Sequence, residues 1–368
     1  MQIAFRTDAS FQIAGGHVMR CLTLADALRT QGADCHFISR ELPGHLLEII
    51  RRRGHALTIL PAVVPLSTTV FDPVLHPTHM TWLGCDWQTD AHQAGEILAT
   101  LRPDWLVLDH YALDQRWEDS VASYFRRLMV IDDLANRPHR SDLLLDQNLG
   151  RQPQDYGTLI PAHCRSLIGP SYALLRPEFA ALRPYSLSRH QTKSTLRRLL
   201  ITMGGVDQLN ATGQVLEALK TCVLPSDCCI TVVMGLTAPW VESVRNLAAR
   251  MPWPTEVVVD VSDIAQRMAD SDLTIGAAGS TSWERCCLGV PTLMVVLADN
   301  QRSGALALDA ANAARVIGAV SDIATKLPSA VRELNDSDRR IRMSLAASAI
   351  VDGQGIEKIL NAMSVLNV

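Results

Sequence analysis

Residues 1–32 read MQIAFRTDASFQIAGGHVMRCLTLADALRTQG, and their order decides the fold. An apolar run, MQIAFRTD, ends in polar residues. A turn containing Gly15 and Gly16 follows. HVMRCLTLADALRTQG then places Val18, Cys21, Leu22, Ala25 and Leu28 at helical spacing, and Gly32 supplies the stop. Strand, turn and helix in this order are the half-unit of a parallel βαβ repeat. The pattern recurs along the chain. Strands are expected at ADCHFISR, ALTIL, WLVLDHY, RLMVIDDLA and DLLLDQN in the first half. In the second they are expected at RRLLITMGG, CCITVVMG, TEVVVD, LTIGAAG and PTLMVVLA. Runs such as LMVI and TVVM are apolar throughout, as in a sheet covered on both faces.

At 368 residues the chain exceeds what one small core organises. The stretch ALRPYSLSRHQTKST, near residues 180–196, is polar, contains Pro184 and lacks periodicity, so it reads as a linker. The expectation is two doubly wound α/β domains, residues 1–182 and 197–368. They would face one another across a cleft, with ligands outside the carboxyl ends of the strands. Residues 61–82 carry Pro61, Pro65, Pro73 and Pro77 and read as an irregular loop that closes over substrate or stays open. From about residue 326 onward the pattern is helical.

Composition narrows the function classes. The chain is 48% hydrophobic and 20% charged, with a net charge of −4 and a pI near 6.3. The longest basic run is Arg51, Arg52 and Arg53, too short to track a nucleic-acid backbone, so no nucleic-acid partner is expected. Nine cysteines without a C-x-x-C pair argue against a disulfide framework and a zinc site, and for reduced, buried thiols in a cytoplasmic protein. No apolar window is long enough to span a membrane, and a monomer is expected.

Chemistry-bearing residues cluster at strand ends. His17 follows the Gly15–Gly16 turn at a helix start, where the helix dipole favours the neutral imidazole of a general base. Glycines there permit positive φ and close backbone approach; Arg6 and Asp8 stand nearby. Asp109, His110 and Tyr111 follow WLVL. Tyr111 suits a sugar hydroxyl or acetamido carbonyl, while Asp109 reads equally as a cap of the next helix. Asp132 and Asp133 are adjacent and should point apart, which favours turn formation over metal ligation. Gln147 and Asn148 also lie at a strand end. Arg176 has the planar fork for a phosphate, or pairs with Glu178. Gly204 and Gly205 form a second phosphate-sized turn before a helix at about Asn210, without a Walker lysine. Gly279, Ser280 and Thr281 offer backbone N–H groups to a diphosphate, and Glu284 offers a carboxylate to a ribose diol. Thr281 and Glu284 also fit a capping box. Asp299, Asn300 and Gln301 end the strand TLMVV and suit sugar hydroxyls and amides.

Taken in order, FRTDAS…GGHVMRCLTLADAL, WLVLDHYALD, IDDLANRPH…DLLLDQN, GPSYALLRPEF, ITMGGVD and GAAGSTSWERCCLGVP resemble the UDP-2,4-diacetamido-2,4,6-trideoxy-β-L-altropyranose hydrolases of pseudaminic acid biosynthesis. That family is in turn similar to MurG-like glycosyltransferases of the GT-B fold. The resemblance covers roughly residues 1 to 320. It implies two facing Rossmann-like domains with an interdomain cleft and a UDP-sugar substrate. His17 would be the base that activates water. Glu284 would take the ribose, the Gly279–Ser280–Thr281 turn the diphosphate, and Arg176 the UDP part. Tyr111 and Asn300 would hold the sugar. Hydrolysis at the anomeric carbon would proceed with inversion and with no metal or other cofactor. Three rivals remain open: a MurG-like glycosyltransferase, a hydrolysing 2-epimerase of a UDP-HexNAc, and a non-catalytic nucleotide-sugar sensor.

Overall fold

A computed structural model describes residues 1–62 and 79–367. Most of the proline-rich loop 61–82 therefore lies outside the described residues; its end, Met80–Leu83, is a short 3-10 turn. Among the described residues, thirteen strands run in chain order: β1 (Gln2–Thr7), β2 (Asp34–Arg40), β3 (Ala56–Leu60), β4 (Trp105–Asp109), β5 (Arg127–Ile131), β6 (Leu143–Asp146) and β7 (Arg165–Ile168), then β8 (Arg198–Thr202), β9 (Cys229–Met234), β10 (Thr255–Val259), β11 (Leu273–Ala277), β12 (Thr292–Val296) and β13 (Arg315–Ala319). The helices are α1 (Gly16–Thr30), α2 (Leu47–Arg52), α3 (Trp87–Leu101), α4 (Gln115–Val121), α5 (Pro177–His190), α6 (Ala211–Leu219), α7 (Val241–Ala248), α8 (Ile264–Asp270), α9 (Thr281–Leu288), α10 (Arg302–Ala310), α11 (Ile323–Leu334), α12 (Ser337–Ser348) and α13 (Gly355–Asn367).

The strands form two sheets, ordered β3-β2-β1-β4-β5-β6-β7 and β10-β9-β8-β11-β12-β13. Every pairing is parallel. Both are Rossmann-like, as the sequence implies. In the first, alternation along the strands sends side chains to opposite faces. Ile3, Phe5, Trp105 and Val107 join one core with Val18, Leu22 and Leu24 of α1. Ala4, Leu106 and Leu108 join another with Ala94 and Leu98 of α3 and Trp117 of α4. In the second sheet, Leu199, Ile201, Leu273 and Ile275 pack on Val215 and Leu216 of α6 and Leu327 and Val331 of α11.

The strand order reverses between β1 and β4 in one sheet and between β8 and β11 in the other. A doubly wound sheet opens a crevice at such a switch point. Residues just beyond β1 and β4, or just beyond β8 and β11, are therefore brought together.

Two units divide the chain: Met1–Leu174 with the segment from Ile356 onward, and Leu175–Gly355. This corrects the expected boundaries at 182 and 197. The polar stretch read as a linker is mostly α5, which contains Pro184. Three of its polar residues reach groups of distant segments, mostly backbone carbonyls. Arg183 donates to the carbonyls of Cys287, Val351 and Ser348. The Ser186 hydroxyl donates to Leu288 O at 2.7 Å, and Arg189 to Ala269 O at 2.7 Å and Asp272 at 2.9 Å. An element anchored by such bonds shows no apolar stripe. At the other end, α13 returns to the first unit, where Ile359, Leu360, Ala362 and Met363 complete the core under α1. Burial of side chains the size of Ile359, Leu360 and Met363 is worth about 1.5–3 kcal/mol each.

All nine cysteines are free; Cys21, Cys35, Cys228, Cys286 and Cys287 are buried and Cys229 is exposed. No described helix is long and apolar enough to cross a membrane.

Candidate functional site

Thr7, the last residue of β1, pairs in register with Asp109, the last residue of β4. The chain leaves β1, turns, and enters α1 at Gly16 with Gly15 as N-cap. The expected positive φ is not at the glycines: Gly15 has φ −96, and Ala14 takes φ 60 instead. Gly15 serves close approach, since a Cβ there would lie 2.8 Å from a Leu46 methyl. His17 is thus the second residue of α1, and its Nδ1 lies 2.6 Å from Asp109 Oδ1. The side chain keeps 9% exposure, so water reaches it.

Asp109 caps no helix; Asp114 does that for α4 by accepting from Arg116 N. Asp109 accepts instead from Arg20, one turn after His17, through Nε at 2.6 Å and Nη2 at 2.7 Å. Burial alone would raise this carboxyl, but Arg20 and then His17 outweigh it and hold it far below the usual range. A carboxylate fixed in this way accepts the Nδ1–H of His17, so in the neutral ring the lone pair is on Nε2. No described residue hydrogen-bonds that Nε2. The neighbouring acid sets the tautomer of the neutral ring.

Arg20 continues to Asp133 Oδ2 at 2.8 Å, and the Tyr111 hydroxyl donates to the same oxygen at 2.5 Å. The phenol proton expected to meet a sugar is therefore committed to Asp133, leaving its oxygen as an acceptor. The Tyr111 ring meets His17 edge-on at 4.5 Å and stacks on Trp82 at 5.6 Å. Asp132 points the other way, to Arg137 Nη1 at 2.7 Å and Ala135 N at 2.8 Å. The adjacent acids diverge, as their spacing suggests. Tyr156 lies between Asp132 and Asp146, 2.9 and 2.8 Å from one oxygen of each. Burial, then Asp133, pushes Asp146 up to about 6. Asn148 donates to Asp146 and Asp133, whereas Gln147 is a brace that accepts from Leu174 N at 2.7 Å.

Arg6, Asp8 and His110 belong to a separate buried network. Arg6 binds Asp8 at 2.7 Å and Asp90 at 2.5 Å, and Arg40 joins Asp90 at 2.7 Å. It ties the ends of β1 and β2 to α3 and is closed to solvent.

The second unit holds the remaining candidates. Gly204, at φ 85, and Gly205 follow β8, and a Cβ on Gly235 would fall 2.0 Å from the Gly205 carbonyl oxygen. The helix beyond that turn is not an anion site. Asp207 accepts from Ala211 N and Thr212 N at 2.8 and 2.9 Å, and Asn210 from Gly213 N at 3.1 Å. The first N–H groups of α6 are satisfied by a carboxylate and an amide.

The turn after β11 is built differently. Ser280 is the N-cap of α9 without a side-chain cap bond, so the Thr281–Glu284 capping box does not form. The N–H groups of Gly279, Ser280 and Thr281 have no partner among the described residues. Glu284, on the first turn, stands 3.8 Å from Arg176 Nη2, while Arg176 Nη1 pairs with Glu178 at 3.0 Å. Burial raises the Glu284 carboxyl and Arg176 opposes it. Of the two readings of Arg176, the structure contains the pair with Glu178. Gln301 Oε1 accepts from Leu297 N at 3.0 Å, which folds it back on its own loop, and Asn300 is exposed.

Residues 200–359 match the glycosyltransferase family 28 C-terminal domain. This span contains the β8 and β11 turns and Glu284. Two relatives extend the likeness into the first unit. The UDP-2,4-diacetamido-2,4,6-trideoxy-beta-L-altropyranose hydrolase of Campylobacter jejuni is 24% identical over 308 residues, 83% of this chain and 95% of that protein. An uncharacterised protein of Methanocaldococcus jannaschii, MJ1062, is 24% identical over 307 residues, 82% of this chain. The match spans only 57% of that protein's length. Among solved structures, MurG of Acinetobacter baumannii superposes with a TM-score of 0.67 at 14% identity, over 99% of both chains. The halves are thus GT-B-type domains, in line with the resemblance in the sequence.

Sequence reasoning missed Arg20 and Trp82, read Asp133 only as a turn former, and missed Asp109 as the partner of His17. One signal was available: Arg20 lies three residues after His17 and so shares its helix face.

Proposed function

We propose that the chain hydrolyses a UDP-sugar, a UDP-2,4-diacetamido-2,4,6-trideoxy hexose, at its anomeric carbon. The observation that carries this reading is the 2.6 Å contact between His17 Nδ1 and a fully buried Asp109. It supplies an oriented, solvent-reached imidazole with Nε2 free to accept a proton. The named Campylobacter relative and the family 28 domain support the substrate class.

His17 Nε2 takes a proton from water as the water oxygen bonds to the anomeric carbon. The bond from that carbon to the diphosphate oxygen breaks, and UDP leaves with the electron pair. Asp109 and Arg20 hold the ring as it becomes cationic. Tyr111 and Trp82 form an apolar wall beside the base, suited to a deoxy, N-acylated sugar. In the second unit, the unpaired N–H groups of the β11–α9 turn receive the developing charge on the diphosphate. Glu284 accepts from the ribose diol, and Arg176 holds Glu284 and the nucleotide. Attack opposite the leaving group inverts the anomeric centre.

The family 28 domain also favours a second reading, glycosyl transfer, in which an acceptor hydroxyl replaces the water. Incubation with the UDP-diacetamido sugar and no acceptor separates the two. UDP and free sugar in equal amounts, with the inverted anomer formed first, support hydrolysis. Intact substrate without acceptor and turnover with one would refute it.

A further inference from the structure

Below the β11–α9 turn lies a cation that the scheme above leaves unused. Arg285 is 1% exposed. Nη2 donates to Ala277 O at 2.6 Å and Ser282 Oγ at 3.1 Å, and Nη1 to Thr281 Oγ1 at 3.1 Å. Its Nε is buried without a partner. The sequence makes room for the group with a glycine: a Cβ on Gly276 would stand 2.7 Å from Nη1. Four other buried arginines, Arg6, Arg20, Arg40 and Arg137, face carboxylates, while the buried Arg340 donates to three backbone carbonyls and keeps no donor nitrogen orphaned as Arg285 does. Arg285 makes no ion pair among the described residues. The adjacent Glu284 turns to Arg176 instead, and burial holds the Cys286 thiol neutral. Burial correspondingly pulls the guanidinium down to about 10. A buried, uncancelled charge is costly and needs a counter-charge. The uncapped N–H groups of Gly279, Ser280 and Thr281 lie on the same turn.

We propose that Arg285 is a positioning residue for the diphosphate. Its guanidinium fixes the Thr281 and Ser282 hydroxyls and the Ala277 carbonyl, and so aims the N–H groups of the turn. Its charge stays uncancelled until an anion is bound there. The inference rests on the UDP reading of this turn and adds the group that makes the turn selective for a charged ligand over a neutral one.

The test compares UDP with uridine, in full-length protein, by calorimetry. Arg285→Met is expected to weaken UDP roughly tenfold to a hundredfold and to change uridine less than about threefold, because Glu284 and Arg176 remain. Arg285→Lys keeps a charge that burial makes titratable. Its UDP affinity is expected to approach wild type near pH 6 and to fall as pH rises toward 9, relative to a wild type measured alongside. A merely structural arginine would give no such profile. UDP affinity in Arg285→Met within threefold of wild type, or equal losses of UDP and uridine, overturns the proposal. If Arg285→Met does not fold, a flat profile for Arg285→Lys overturns it alone. Wild-type protein that binds neither UDP nor uridine overturns the nucleotide reading itself, and this inference with it.

Discussion

Replacing Asp109 by Asn removes one charge and tests how the base is held. The native carboxylate receives Arg20 at 2.6 and 2.7 Å and His17 at 2.6 Å. An amide offers one acceptor oxygen to these three donors and turns an NH2 toward Arg20. Removing one member of a buried ion pair costs about 3–5 kcal/mol. Arg20 keeps Asp133 at 2.8 Å, which places the loss near the lower end, about 3 kcal/mol. In a unit of this size that lowers Tm by roughly 6–12 °C. Turnover should fall by roughly two to four orders of magnitude, since the amide can present a donor to Nδ1 and reverse the tautomer. His17→Ala is the control. It spares the Arg20–Asp109 pair, so hydrolysis is lost while Tm moves by no more than about 3 °C. Scanning calorimetry and a coupled assay of UDP release read both quantities. The sign with pH also follows. The folded Asp109 carboxyl lies below its unfolded value of about 3.9. Its contribution is therefore complete above about pH 4 and lost as pH falls further. Asp109→Asn should flatten that acid limb. A variant that melts with wild type and hydrolyses within threefold of it refutes the argument.

Other perturbations separate the parts of the second unit. His190, on α5, is buried with Nε2 unpartnered, and burial followed by Arg189 pulls it down to about 4. Its unfolded value is near 6.5, so stability is full above that pH and is lost as pH falls toward 4, by up to about 3 kcal/mol. His190→Leu should remove this slope in denaturant titrations between pH 4 and 7. Glu284→Ala should erase the preference for UDP over its 2′-deoxy analogue, measured as a ratio of Kd values, and a ratio kept as in wild type would remove Glu284 from the ribose. Gly235→Ala must displace the Gly205 carbonyl, which lies 2.0 Å from the added Cβ, and should destabilise by about 1–3 kcal/mol. Gly205→Ala meets nothing within 4 Å and should leave Tm unchanged.

What the sequence exposed was hydrophobic periodicity. Strands with long apolar runs, such as WLVLD and TLMVV, stand where the pattern puts them. Two edge strands escaped. RSLI of β7 and RVIGA of β13 are short, begin with arginine and are only partly buried, so neither shows a clean apolar run. α5 escaped because its polar side chains end on carbonyls from distant segments, which no local pattern records. The same limit applies at the sites. The glycine turns were visible, but Asp207 and Asn210 closing α6 depended on loop geometry. The meeting of His17 with Asp109 depended on the pairing of β1 with β4 across 92 residues. Residue types at strand ends were legible, and the partners they chose were not.

The return of α13 to the first unit makes the second an insertion within it. During synthesis the first sheet emerges before α6 to α12 yet lacks one of its covering helices until the segment from Ile356 onward is made. The intervening half must be translated first, and it has all its own strands by then. Folding of the first unit therefore ends later than its position in the chain suggests. A fragment stopping at Leu174 would leave bare the apolar surface that Ile359, Leu360 and Met363 cover in the whole chain. Joining the segment from Gly355 onward to such a fragment through a short linker is the way to obtain that half alone.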